Sequence, residues 1–144
     1  MKVDFWQLSR DPVEKVVALI AGRVMDAGER LLVVSSSPDQ REAISRELWK
    51  AGPESFLANG EAGAPGAENQ PILLCETPEP ANGASHVIYA DGAYREADGF
   101  ARTFLLFDDN TLEAARATWR SLDGKEPLER AFFRQDGGKW VKVA

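Results

Sequence analysis

The chain holds a single cysteine, Cys75, and a single histidine, His86, among 144 residues. One cysteine excludes an internal disulfide. Two such residues fall short of the roughly four Cys or His ligands of a structural zinc site. Cys75 lies in the apolar segment ILLCE and reads as a small buried hydrophobe rather than a reactive thiol. No apolar run approaches the roughly 20 residues that cross a bilayer. The opening MKVDFWQLSRD sets Asp4 and Arg10 around a short apolar stretch, unlike a signal peptide. A cytoplasmic protein without membrane association is expected. A basic surplus is missing too: the formal net charge is −6. Gripping DNA takes a cation for each phosphate neutralised, so strong direct DNA binding is not expected.

Phosphate-binding motifs are also absent. No segment has the GxxxxGK[ST] pattern whose glycines let backbone amides approach a phosphate. A dinucleotide fold needs GxGxxG after its first strand, and the corresponding turn here is SRDP, with an acid where phosphate would sit. Ser35, Ser36 and Ser37 follow an apolar run, where an α/β enzyme can place a nucleophile, but the base would have to be His86, and nothing in the sequence pairs the two. The simpler account makes Ser37 a helix cap and His86 an ordinary strand residue. Asp108 and Asp109 could hold Mg²⁺, yet acids at a helix N-terminus are favoured by the macrodipole alone. No catalytic residue, metal or cofactor is expected.

What is present is a succession of strands and helices within one domain, residues 1–144. The first strand puts Val3, Phe5 and Gln7 on one face and Asp4, Trp6 and Leu8 on the other. A helix follows, with Asp11 as cap, Pro12 at the first position and Glu14 closing a capping box. Val13, Val16, Val17, Ile20 and Val24 make its apolar stripe, and Gly28 ends it. Leu31 to Ser35 is a continuous apolar strand. Ser37, Pro38 and Gln40 start a second helix reaching about Lys50, with Ala43, Ile44, Leu48 and Trp49 as apolar members. Residues 57–70 read as a Gly- and Ala-rich loop. Further strands are expected at Ile72–Cys75, Val87–Ala90 and Thr103–Phe107, with a third helix from near Asn110 to near Gly124. The tail from Leu128 to Val143 reads as a hairpin turning at Asp136, Gly137 and Gly138. The order predicts a three-layer α/β/α fold with a mostly parallel central sheet, Rossmann-like but without a nucleotide site.

Four segments, in order along nearly the whole chain, resemble the chi subunit family of bacterial DNA polymerase III. They are VDFWQLSRDPVEKVVALIAGRVMDAGERLLVV, Leu48-Trp49 followed by Glu54-Ser55-Phe56-Leu57, the helix Ala115-Arg116-Ala117-Thr118-Trp119-Arg120, and the closing GGKW. One departure is Ala58-Asn59, where the family commonly has Pro-His. The resemblance implies a non-catalytic subunit associated with the clamp loader. It implies binding to the C-terminal tail of single-stranded DNA-binding protein and to the psi subunit.

That tail is acidic and ends in an aromatic residue with a free carboxylate, so its receptor needs cations beside an apolar pocket. Arg116 and Arg120 are four apart and share one helix face. Guanidinium forks suit carboxylates, and Trp119 adds apolar area nearby. Carried over from the resemblance, Arg116 and Arg120 match the family's basic positions and Trp119 its aromatic. Phe104, Leu105 and Phe107 are expected to line the pocket. The bland reading makes the arginines a solvated face and Trp119 core packing. A second partner surface, facing psi, is expected at Trp49, Phe56 and Leu57, which could equally close the core. The competing class is a small α/β nucleotide- or phosphate-dependent hydrolase whose site carries no familiar motif.

Overall fold

The computed structural model describes residues 1–50, 57–125 and 128–144. The elements run in the order β1 (Lys2–Gln7), α1 (Val13–Asp26), β2 (Leu31–Val34), α2 (Pro38–Lys50), β3 (Asn59–Glu61), β4 (Ile72–Cys75), β5 (His86–Tyr89), β6 (Arg102–Phe107), α3 (Leu112–Ser121), β7 (Glu129–Asp136) and β8 (Lys139–Lys142). The strands form one sheet in the order β3-β4-β2-β5-β6-β1-β7-β8. Neighbours are parallel except β7 and β8, which close the expected hairpin. The α/β class and the mostly parallel sheet are as the sequence predicts.

Alternation along the strands sets the layers. Val16, Val17, Ile20 and Val24 of α1, with Ile44 and Leu48 of α2, pack on Trp6, Leu31, Val33, Leu74, Ile88 and Leu106. On the opposite face, Ala115 of α3 packs with Val3, Phe5, Leu32, Leu105 and Phe107, and Trp119 lies partly buried against them. No helix links β7 to β8, so the α1 side of that hairpin has no helix of its own to cover it. Phe133 and Trp140 are only half-buried there.

Three local expectations need correction. Residues 57–70 are not all loop: Asn59–Glu61 forms a short edge strand on β4, and Ala67–Asn69 a 3-10 turn. Pairing across the sheet, invisible to a local pattern, makes that strand. Second, Asp11 does not cap α1. Pro12 occupies the cap position, and no side chain caps the helix. Third, α3 begins at Leu112 rather than near Asn110, because the Asp108 carboxylate accepts the Asn110 and Thr111 amides in a turn. The end of α1 is as expected. Gly28 has φ 75°, and its N–H donates to the Met25 carbonyl while Glu29 N–H donates to that of Val24, closing a Schellman motif.

The turn that leads into α1 is held from the far end of the chain. The amides of Ser9, Arg10 and Asp11 all donate to Oε1 of Gln135, at 3.3, 2.9 and 3.2 Å. Nε2 of Gln135 donates to the Asp11 carboxylate at 2.8 Å, and Ser9 Oγ to the Gln135 carbonyl at 3.0 Å. Gln135 is buried, and it ties β7 to the crossover leaving β1. Truncation strands three amides and one carboxylate. Gln135→Ala is predicted to lower unfolding free energy by roughly 1–3 kcal/mol, from the loss of several half-buried hydrogen bonds each worth about 0.5–1.5 kcal/mol, measured by denaturant titration. An unchanged midpoint would contradict this account of the turn.

Candidate functional site

The crevice beyond the carboxyl ends of the strands is where open α/β sheets usually bind ligands. Here it holds two adjoining cavities, one of about 110 Å³ lined by Gln40, Asp91, Gly92 and Thr111, and one of about 280 Å³ lined by Ser9, Asp11 and Pro12, with Leu8, Val13 and Asp108 common to both. The run of amides that a phosphate would occupy is filled by Gln135. Asp91 is engaged as well: Arg95 grips it with two bonds of 2.7 Å, and the Ser36 amide donates to it at 3.0 Å. Burial alone would raise the Asp91 carboxyl, but the Arg95 and backbone hydrogen bonds outweigh it and hold the group below its usual range.

The serines do not meet the histidine. Val34 pairs with Tyr89 and Leu31 with His86 in adjacent parallel strands. Ser35 and His86 therefore stand at opposite ends, about 13 Å apart at ~3.3 Å per residue. Ser35 Oγ donates to Gln40, and Ser37 Oγ accepts the Gln40 amide, as a cap should. Cys75 is buried, and burial, then the Glu61 charge, push its thiol up to about 12. Among the described residues no group of three or more His, Cys, Asp or Glu could hold a metal.

The α3 face gathers most of the expected tail-binding residues. Arg116 and Arg120 are exposed. Arg116 meets Glu113 at 3.1 Å in a pair open to solvent, which holds it weakly. Arg120 has no ion pair among the described residues. Trp119 is half-buried, edge-on to Phe5 at 5.1 Å and to Phe132 at 5.8 Å. Leu105 and Phe107 lie beneath, with Phe107 edge-on to Phe132 at 5.5 Å. A third cation joins them. The Arg130 guanidinium lies 4.1 Å from the Trp119 ring centroid, donates to the Trp119 carbonyl, and pairs with Asp123 at 2.9 Å. The sequence reading missed Arg130. Alternation along β7 puts Arg130 on the face of Phe132, but only the pairing of Phe132 with Phe5 shows that this is the α3 face.

Phe104 does not belong to this group. It points to the α1 side, 6.2 Å from Trp6 and under Arg102 at 4.9 Å. A one-residue step along β6 separates it from Leu105 by the full thickness of the sheet. At the other expected surface, Trp49 is 62% exposed at the end of α2, whereas Leu57 is 4% exposed and belongs to the core. Leu57 is fixed by Asn59, whose Nδ2 donates to the Leu57 carbonyl at 3.0 Å and whose Oδ1 accepts from Ser45 at 2.6 Å. Phe56, with Glu54 and Ser55, lies outside the described residues.

The three-layer α/β sheet thus keeps its one internally satisfied amide run at the carboxyl edge and carries exposed arginines beside aromatics on the α3 face. The family model for the DNA polymerase III chi subunit, HolC, matches residues 1–126, and the chain belongs to that family. It is thus of the class of accessory subunits of replication. No curated protein matched the chain. The match takes in the first three resembling segments and stops before the β7–β8 hairpin, which carries GGKW.

His86 marks the opposite edge of β5 and supplies a pH test. Burial, with the Arg102 charge, lowers its pKa below the usual 6.5, although Glu29 pulls the other way. The unfolded chain then takes up a proton before the folded one does. Stability is predicted to fall as pH drops below about 6.5, and less so in His86→Gln, as measured by melting curves between pH 7.5 and 5. Identical slopes for the two proteins would contradict a lowered His86 pKa in the folded protein.

Proposed function

We propose that this chain is a non-catalytic adaptor of the DNA polymerase III holoenzyme that binds the acidic C-terminal tail of single-stranded DNA-binding protein through the α3 face. The observation that carries the reading is the exposed pair Arg116 and Arg120 beside a half-buried Trp119. The fork of each guanidinium donates to a carboxylate in bidentate fashion. The rim around Trp119 and Phe132 offers the apolar contact a terminal aromatic ring needs. Arg130 stiffens that rim by holding the indole and the end of α3 together. On a chain of net charge −6, a local cluster of cations is what draws in an acidic segment.

The second partner in this reading, the psi subunit, meets the end of α2. Trp49 is exposed there, and an exposed indole is a favoured anchor for a partner. The amide run taken up by Gln135 and the separated Ser35 and His86 weigh against the hydrolase alternative. The protein acts among cytoplasmic replication proteins. None of the described helices is long and apolar enough to cross a membrane.

A single short tail would bind with about micromolar affinity, ~8 kcal/mol, and several tails on one oligomer would raise the effective affinity. Replacing both Arg116 and Arg120 by Ala is predicted to weaken tail-peptide binding about tenfold or more, with melting temperature unchanged. Isothermal titration with the peptide checks it. Trp119 is a poor test residue because it packs on Phe5. Unchanged affinity in the double variant would remove α3 as the receptor.

A further inference from the structure

The α1 side of the sheet holds a second basic and aromatic surface. An open groove of about 630 Å³ runs between α1 and the uncovered hairpin, walled by Leu19, Arg23, Arg102, Phe133, Lys139 and Trp140. A smaller cavity of about 130 Å³ continues it toward His86 and Phe104, sharing Trp6, Arg23 and Arg102. Leu19 is 41% exposed, an unusual position for leucine on a helix whose other large aliphatic residues are mostly buried. Neither Arg23 nor Lys139 forms an ion pair among the described residues. Trp6 is 4% exposed, and its indole N–H finds no acceptor. A buried donor left unmet is costly, and the residue covering it, Trp140 at 4.6 Å between ring centroids, sits half-exposed on the hairpin.

We propose that this groove docks an extended acidic peptide segment bearing an apolar side chain. Charge complementarity selects the occupant. Arg23 and Lys139 stand at the rim with the Asp4-bound Arg102 between the two cavities, against a chain that is otherwise acidic. The apolar side chain lies on Leu19 and Phe133. A displacement of Trp140 lets a ligand carboxylate or carbonyl accept the Trp6 N–H. Single-stranded nucleic acid fits less well. It needs open aromatic faces for base stacking, and Trp6 and Trp140 are packed on each other. It also needs a longer track of cations than this rim supplies, and Asp11 lies along it. Much of the groove belongs to the hairpin beyond residue 126, outside the matched family region. The groove is on the opposite side of the sheet from α3, so its occupant and the proposed tail do not compete.

The test uses the full chain and the synthetic probe acetyl-Asp-Asp-Leu-Asp-Phe-amide, which has no terminal carboxylate, with oligo-dT as the nucleic-acid arm. The readout is the ¹H–¹⁵N indole resonances, with Trp6 and Trp140 assigned by the Trp140→Phe and Trp6→Phe variants. The expected result is a saturable shift of the Trp6 and Trp140 signals. That shift should weaken at least tenfold in the Arg23→Glu/Lys139→Glu variant, whose changes are both exposed, and survive in Arg116→Ala/Arg120→Ala. Loss of the shift only in the α3 variant would overturn the groove while sparing the α3 reading. Still Trp6 and Trp140 signals, or tighter saturation by oligo-dT than by the peptide, would overturn it as well.

Discussion

One amide side chain governs what this sheet can do at its carboxyl edge. Three successive backbone amides leave β1 pointing at a common spot, the arrangement that other α/β proteins use for a phosphate. Gln135 fills that spot with its own oxygen and spends its N–H₂ group on Asp11. The contact spans nearly the whole sequence and ties β7 to β1 at the point where α1 begins. The topology is thus retained while the amides that could meet a phosphate are satisfied by internal hydrogen bonds.

With those amides satisfied, the arginines and aromatics that could meet a partner lie on the two faces. Each face joins half-covered indoles to arginines, but the two differ in how the cations are held. On the α3 side Arg130 is bonded to Asp123 and to the end of the helix, so it stiffens the surface, while Arg116 and Arg120 remain open to solvent. On the α1 side Arg102 is fixed on the fully buried Asp4. That carboxylate would be expensive to bury without its partner, so Arg102 has a structural duty besides any binding. The free charges there are Arg23 and Lys139, on elements that meet only across the groove.

Much of this was legible in the sequence because the local signals agree with the global fold. The continuous run Leu31 to Ser35 reads as a strand covered on both faces; the strand is Leu31–Val34, and the whole run is buried. Ser37 reads as a cap, Gly28 as a helix stop, and Asp136 to Gly138 as a hairpin turn, and each takes that role. What failed depended on partners distant in sequence. Asp11 looked like a cap because nothing nearby revealed Gln135. Asn59–Glu61 looked like loop because its ladder is with β4. Phe104 was grouped with Leu105 and Phe107 by adjacency, although alternation sends it to the other face. Leu57, an apolar residue at a loop edge, turned out to plug the core. Arg130 was overlooked because its neighbour in space, Trp119, lies on a different element.

The most direct measurement is capture of this chain by single-stranded DNA-binding protein, intact or lacking its last residues, followed by sedimentation at moderate salt. The account predicts a complex with the intact protein that vanishes on removal of the acidic end. Equal capture of the shortened protein, or no complex with either form, would contradict it.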